Sequence, residues 1–254
     1  MVTERRVAHP ARADARPLGR ALAAMVAVAL AMGLAPVAGA GAPGPAAGPI
    51  ERGRTDVRAM AFACNVVWGT EYVLPIARAF QRAGQRATFF LGGTWAAAHP
   101  AEARELRSMG MEIASHGYAH RHVGSLPLDA NLEEIDRASE AIRAASGVAP
   151  RLYAPAYGEV SAAVERAAHL RGMPLVLWTI DTVDWRPWHT PDIISRRVLD
   201  RAQPGAIVLI HPTDRTLAAL PGLIASLRRE GYRLTTVSDL IELPAASGAR
   251  RSDG

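Results

Sequence analysis

The chain has 254 residues, 49% of them apolar and 21% charged, which is enough for one large domain or two small ones and too apolar for a disordered chain. All 29 basic side chains are arginine, and of the net charge of +5, residues 1–20 hold +3 (five arginines against Glu4 and Asp14), leaving +2 for the rest. No later segment interleaves basic and aromatic residues, so nucleic acid is excluded as a partner.

Arg20 is followed by the 15-residue apolar run ALAAMVAVALAMGLA and then by PVAGAGAPGPAAG. A basic region, an apolar region and a small-residue exit make an export signal, with cleavage after Ala40. The run is short against the ~20 residues of a membrane span. An uncleaved single N-terminal anchor is the alternative, and a buried helix the plain structural one. Residues 1–40 are therefore read as export signal or membrane anchor, 41–54 as a flexible linker, 55–243 as the folded domain and 244–254 as a disordered tail. The predicted location is outside the cell, in the wall or tethered to the outer face of the membrane. The sole cysteine, Cys64, lies in apolar MAFAC and reads as a small core side chain rather than a nucleophile. Nothing in the sequence specifies an oligomeric state.

Strand-like apolar runs at 58–64, 86–91, 111–114, 151–154, 173–178, 206–210 and 232–237 alternate with helical patterns. The helices are predicted over 72–83, 100–109, 131–146, 162–171, 192–202 and 214–229, several ending at a glycine, with Leu132, Ile135 and Ile142 forming one apolar stripe. Repeated β-then-α units imply an α/β fold with parallel strands, either a barrel or an open sheet. Both place chemistry beyond the C-terminal strand ends. There the sequence sets Asn65 and Trp68, then His116 and His120, then Pro155 to Glu159, then Asp181, Asp184 and Trp185, then His211.

His116 and His120 are four apart and can point the same way on a helix or tight turn, which suits a divalent metal, although such a pair is more often structural. His122 would face elsewhere. His211 can donate or accept a proton near neutrality, and Asp181 or Asp184 could hold its tautomer or simply cap turns. Trp178 reads as core. Trp68, Trp95, Trp185 and Trp188 read either as the apolar wall of a sugar or acyl pocket or as packing beneath loops.

Taken in order and spacing, ATFFLGG, EIASHGYAHR, APAYGEV, LWTIDTVDW, GAIVLIH and GYRLTTVSDL make residues 58–242 resemble the polysaccharide deacetylase family, the NodB-homology domain of carbohydrate esterase family 4. The chain is most similar to the sporulation-type, PdaB-like branch, whose first motif ends in a Trp-Gly pair. The resemblance implies a distorted (β/α) barrel, here of seven strands. It also implies an exported enzyme that removes N-acetyl groups from a glycan such as peptidoglycan or a chitin oligomer, using Zn2+ or Co2+. Family roles carry over as follows: His116 and His120 as metal ligands, His211 as general acid, Asp181 or Asp184 as its support or as a substitute base, and the backbone N–H of Tyr157 as oxyanion donor. Trp68, Pro155, Tyr157 and Trp185 would line the substrate path.

The first motif departs from the family. Asn65 stands where the base aspartate is expected, Val66 where the metal aspartate follows, and Ala154 where an arginine supports the base. A neutral amide is no general base, although its oxygen can bind metal weakly. Two readings follow. The retained histidines lead to the expectation of a metal-dependent amide hydrolase of low or altered activity, with Glu159, Asp181, Asp184 or Glu71 as substitute base and Asn65 or water as third metal ligand. Asn65, Val66 and Ala154 favour instead an inactive glycan-binding or structural pseudoenzyme of the envelope or spore.

Overall fold

The computed structural model describes residues 48–242. The predicted leader, residues 41–47 of the linker and the tail from 244 lie outside the described residues.

The central strand β1 (Ala59–Val66) is buried along its whole length. Side chains alternate across a strand, and its two faces differ in size. Ala59, Ala61 and Ala63 pack with Phe90, Ala114 and Ile207 in an inner cluster. Met60, Phe62, Cys64 and Val66 join a larger outer cluster with the helices. The small inner face leaves room for neighbouring strands to curl round it.

The chain continues through α1 (Val73–Arg82), β2 (Thr88–Leu91), α2 (Gly93–Ala98), α3 (Pro100–Ser108), β3 (Glu112–Ser115) and α4 (Leu128–Ser146). It then forms α5 (Ala162–Leu170), β4 (Ile180–Asp181), α6 (Pro191–Leu199), β5 (Ile207–Ile210), α7 (Asp214–Arg229), β6 (Arg233–Thr235) and α8 (Val237–Glu242). Helix starts are written locally. The hydroxyls of Ser161, Thr190 and Thr213 accept the N–H of Val164, Ile193 and Thr216 at the starts of α5, α6 and α7. Helix α4 buries Ile135 and Ile142 and ends at Gly147. Leu132 of the predicted stripe is only partly buried and packs with Ile135 on a cluster around Tyr153 and Val164, whereas Ile142 joins the outer cluster.

The sheet is parallel, in the order β3-β2-β1-β5-β4, with β6 paired to the start of β1. Among the described residues it has six strands, not the seven expected. The runs at 151–154 and 173–178 make only isolated bridges: Tyr153 with Ser115 and with Leu175, and Val176 with Ile50. Pro155 and Pro174 bracket these contacts and lack the N–H that a longer ladder needs. The second run shifts its regular pairing downstream, where Ile180 and Asp181 meet β5. Two short helices, α2 and α8, were absent from the sequence reading. No helix among the described residues is long and apolar enough to cross a membrane.

Candidate functional site

The C-terminal ends of the strands surround a cavity of about 410 Å³. Asn65, His116, His120 and His211 share its wall with the carboxylate residue Asp181. The apolar side comes from Trp68, Tyr157, Trp178, Trp185 and Leu209. Residues from five separate segments thus converge, as the strand-end rule predicts.

The histidine loop after β3 is held from two sides. Helix α2 donates the N–H of Gly93 to Gly117 O at 2.9 Å and that of Thr94 to Tyr118 O at 3.0 Å. A side chain at Gly93 would meet Tyr118 and the backbone of α4, so this docking requires glycine. From the other side Glu134 of α4, which is buried, accepts the N–H of Tyr118 at 3.0 Å and of Ala119 at 3.1 Å. Arg121 lies 3.5 Å from the same carboxylate. His120 adopts φ +52° in the loop so formed. Sequence reasoning missed Glu134; its one signal was a carboxylate next to Ile135 on the buried face of a helix.

His116 is buried, and its Nδ1 lies 2.8 Å from Ala154 O. Nδ1 therefore carries the proton, leaving Nε2 as an acceptor. Its pKa is lowered to about 3, chiefly by burial and then by His120. His120 is also shifted down, by burial first and then by His211 and His122. The ring centroids of His116 and His120 are 5.3 Å apart.

His211 is fixed more tightly. Its Nδ1 lies 2.8 Å from Asp184 Oδ1, and its backbone N–H donates to Oδ2 at 2.6 Å. Thr216 donates to the same Oδ2 at 2.5 Å. Asp184 is fully buried and wholly engaged with these donors. Trp68 stacks on the His211 ring at 5.5 Å with an interplanar angle of 17°. The Trp68 loop is itself anchored by Trp95, whose indole donates to Gly69 O at 2.7 Å. Trp95 is buried and supports the site from beneath rather than lining it.

The sequence-named carboxylates separate by role. Asp181 reaches the cavity wall and accepts the Val183 N–H at 2.7 Å. Glu159 faces His122 Nδ1 at 2.7 Å and accepts the Gly124 N–H at 2.9 Å. These two contacts, the His122 one larger, hold its carboxyl below the usual range. Glu71 is exposed, and neither it nor Glu159 is on the cavity wall. His122 stacks on Tyr157 at 4.1 Å and 8°. Tyr157 has φ +59° and also contacts His120. Pro155 is buried at the start of this turn and does not line the cavity. Trp178, read as core, does line it and presses on Gly158, where a Cβ would come within 2.7 Å of the indole. Cys64 is buried, and burial followed by the Asp184 charge raises its thiol pKa, so it is no nucleophile here.

Asn65 and Val66 end β1 on opposite faces. Asn65 lines the cavity, is 4% exposed, and its Oδ1 has no hydrogen-bond partner. Val66 packs among the outer apolar cluster, away from the histidines. Ala154 is buried in the inner cluster and meets the site through its carbonyl alone. Among the described residues no group of three His, Cys, Asp or Glu side chains stands together to hold a metal. Catalytic zinc sites usually take three such ligands. Two neutral imidazoles and a neutral amide oxygen do not complete that set, so the residues present do not fit the expected Zn2+.

The family profile described as polysaccharide deacetylase matches residues 53–176. The crystal structure of a CE4 family pseudoenzyme from Bacillus anthracis is similar at 32% identity and a TM-score of 0.74, over 79% of this chain and 69% of that one. A variant of that protein, described as a pseudoenzyme with restored enzymatic activity, is similar at 31% identity and a TM-score of 0.74, over 79% of this chain and 72% of that one. The uncharacterized protein YlxY of Bacillus subtilis is 36% identical over 194 residues, 76% of this chain and 60% of its own length. A peptidoglycan-N-acetylglucosamine deacetylase of Bacillus cereus is 29% identical over 62% of this chain and 58% of its own length. The chain thus spans less than two thirds of these two curated relatives. With the parallel sheet and the strand-end histidines in the family's order, these likenesses establish that the chain belongs to the polysaccharide deacetylase family, carbohydrate esterase family 4.

Proposed function

We propose that this domain binds an N-acetylated glycan of the cell envelope without cleaving it. The observation that carries the reading is Asn65: a neutral amide side chain lines the cavity where the family's chemistry calls for a carboxylate. An amide cannot take a proton from water near neutral pH. No arginine can orient a base from position 154, which is alanine. The first motif reads as a degenerate one, in a chain of the sporulation-type branch. The likeness to a pseudoenzyme supports this reading over the hydrolase expected from sequence.

Binding needs less than catalysis does. Trp68, Tyr157 and Trp185 are half-exposed on the rim, where aromatic faces can stack on sugar rings. His116 keeps an unprotonated Nε2 suited to accept a hydrogen bond from a sugar hydroxyl, and the ring of His211 lines the same cavity. We read the sheet as the wall of a distorted barrel whose mouth holds this cavity, with the bridged segments around Tyr153 and Leu175 filling the gaps between regular strands. The export signal or anchor at 1–40 would place the domain on the outer face, beside such a glycan.

A second reading, a slow amide hydrolase, rests on Asp181, the carboxylate that reaches the wall, together with the intact Asp184–His211 pair. The separating experiment is acetate release from N-acetylglucosamine oligomers and peptidoglycan with added Zn2+ or Co2+, run beside a binding measurement on the same material. Binding without acetate supports the first reading. Acetate formed at a rate that falls on Asp181→Asn supports the second.

A further inference from the structure

We infer that Arg186, held against Trp185 and Trp188, binds a carboxylate on the sugar next to the one in the cavity, so that the domain selects an acidic glycan over a neutral one. The inference rests on the glycan-binding reading and names the chemistry of the chain that the site takes.

The loop after β4 leads out of the cavity. Trp185 lines the cavity, whereas Arg186 and Trp188 are not on its wall. Trp185 is 50% exposed and Trp188 66%, and the guanidinium carbon of Arg186 sits over both rings, 5.0 and 5.7 Å from their centroids. The N–H donors of a guanidinium lie in its plane, and contact with a ring face uses none of them. Among the described residues no carboxylate pairs with Arg186 and no acceptor takes its side-chain N–H groups. The cation is thus placed but not spent. The loop is fixed before any ligand arrives: the Arg186 N–H donates to Val183 O at 3.2 Å, the His189 N–H to Arg186 O at 3.0 Å, and the Arg215 side chain to Asp184 O at 3.3 Å. A group already held in place loses less freedom on binding. Arg215 itself meets Asp214 at 3.1 Å, which leaves Arg186 as the charge this loop offers outward.

A flat carboxylate, with two oxygens and one charge, matches the edge of one guanidinium. Inside the cavity the charge is of the other kind: Asp181 stands on the wall and disfavours an anion there. A neutral N-acetylated unit therefore suits the cavity, and an acidic unit suits the step outside it, with the exposed face of Trp188 beside its ring. Two kinds of sugar carry such a group, one on a lactyl ether and one on the ring itself. The guanidinium reads the carboxylate that they share.

The test is isothermal titration of the full chain at low salt with three tetrasaccharides: N-acetylglucosamine alternating with N-acetylmuramic acid, the same chain with its lactyl carboxylates amidated, and the hyaluronan tetramer, whose carboxylates are on the ring. The lactyl acid should bind about fivefold more tightly than its amide, the scale of an exposed but well-held ion pair, and about 0.5 M salt should erase the difference. Arg186→Gln should remove the preference, and Arg186→Lys should keep part of it, having the charge without the fork. The melting temperatures of both variants report folding. Hyaluronan binding that weakens on Arg186→Gln, with acid and amide equal, supports the inference with the ring carboxylate as the source. Acid and amide bound equally, with hyaluronan binding indifferent to Arg186→Gln, overturns the inference and leaves the glycan-binding reading standing; so does a preference that survives Arg186→Gln. If no tetrasaccharide binds, the glycan-binding reading falls and takes this inference with it.

Discussion

Asp184 grips His211 twice, with one carboxylate oxygen 2.8 Å from the ring Nδ1 and the other accepting the backbone N–H at 2.6 Å. Thr216 donates as well, so a fully buried carboxylate serves three donors. Asp184→Asn keeps the size but can no longer accept from all three. It should lower the unfolding free energy by roughly 1–3 kcal/mol. Urea unfolding measures this, and an unchanged midpoint would mean that the pairing contributes nothing to the fold.

The buried His116 makes stability pH-dependent. Its folded pKa, about 3, lies below the ordinary 6.5, so between those values the unfolded chain binds the extra proton. Stability is complete above about pH 6.5 and is lost progressively as pH falls toward 3, by ~3–5 kcal/mol over the window for this one group. His116→Gln should flatten that part of the stability curve. A wild-type curve level from pH 6.5 to 4 would contradict the burial argument.

Asn65→Asp puts a carboxylate in the cavity with two imidazoles. Zinc affinity should rise by at least about tenfold over wild type, because the donor set gains the negative charge and third ligand type it lacks. Acetate release should stay at background in the single variant and appear with Ala154→Arg added, since the new carboxylate otherwise has no guanidinium to orient it. Calorimetry and an acetate assay test the two parts. Val66→Asp, by contrast, buries a charge in the outer apolar cluster and should mainly destabilise.

Trp185 and Trp188 stand exposed with Arg186 over both rings, at 5.0 and 5.7 Å. If the glycan extends along this rim, Trp188→Ala should weaken long oligomers by about fivefold to tenfold and leave disaccharides unaffected, at ~1 kcal/mol for a lost stacking face. Equal losses for both lengths would place the contact inside the cavity instead.

Much of this was legible in the chain. The alternation of Ala and larger apolar residues in 59–66 marks a strand buried on both faces, and the six long helices were readable from their stripes and end residues. The strand-end rule gathered Asn65, His116, His120, Asp181 and His211 without coordinates. What was not legible depends on non-local contacts. Tyr153 and Leu175 lie in strand-like runs, yet prolines and the shift of pairing to Ile180 leave them single bridges. Helix α2 is six residues long and begins with a glycine, a weak helical signal, because its stability comes from docking on the histidine loop. Glu134 and Trp95 act through backbone groups far away in sequence, which no local pattern reveals. The opposite facing of Asn65 and Val66 follows from strand parity, and it explains why an acid at only one of these two positions would reach the cavity as the strand is built.

The most direct measurement is a crystal structure of the protein grown with the N-acetylglucosamine tetramer and without added metal. The account predicts an intact N-acetylated sugar in the cavity, with its ring beside Trp68. A deacetylated sugar, a metal ion bound between His116 and His120, or a tetramer seated elsewhere would contradict it.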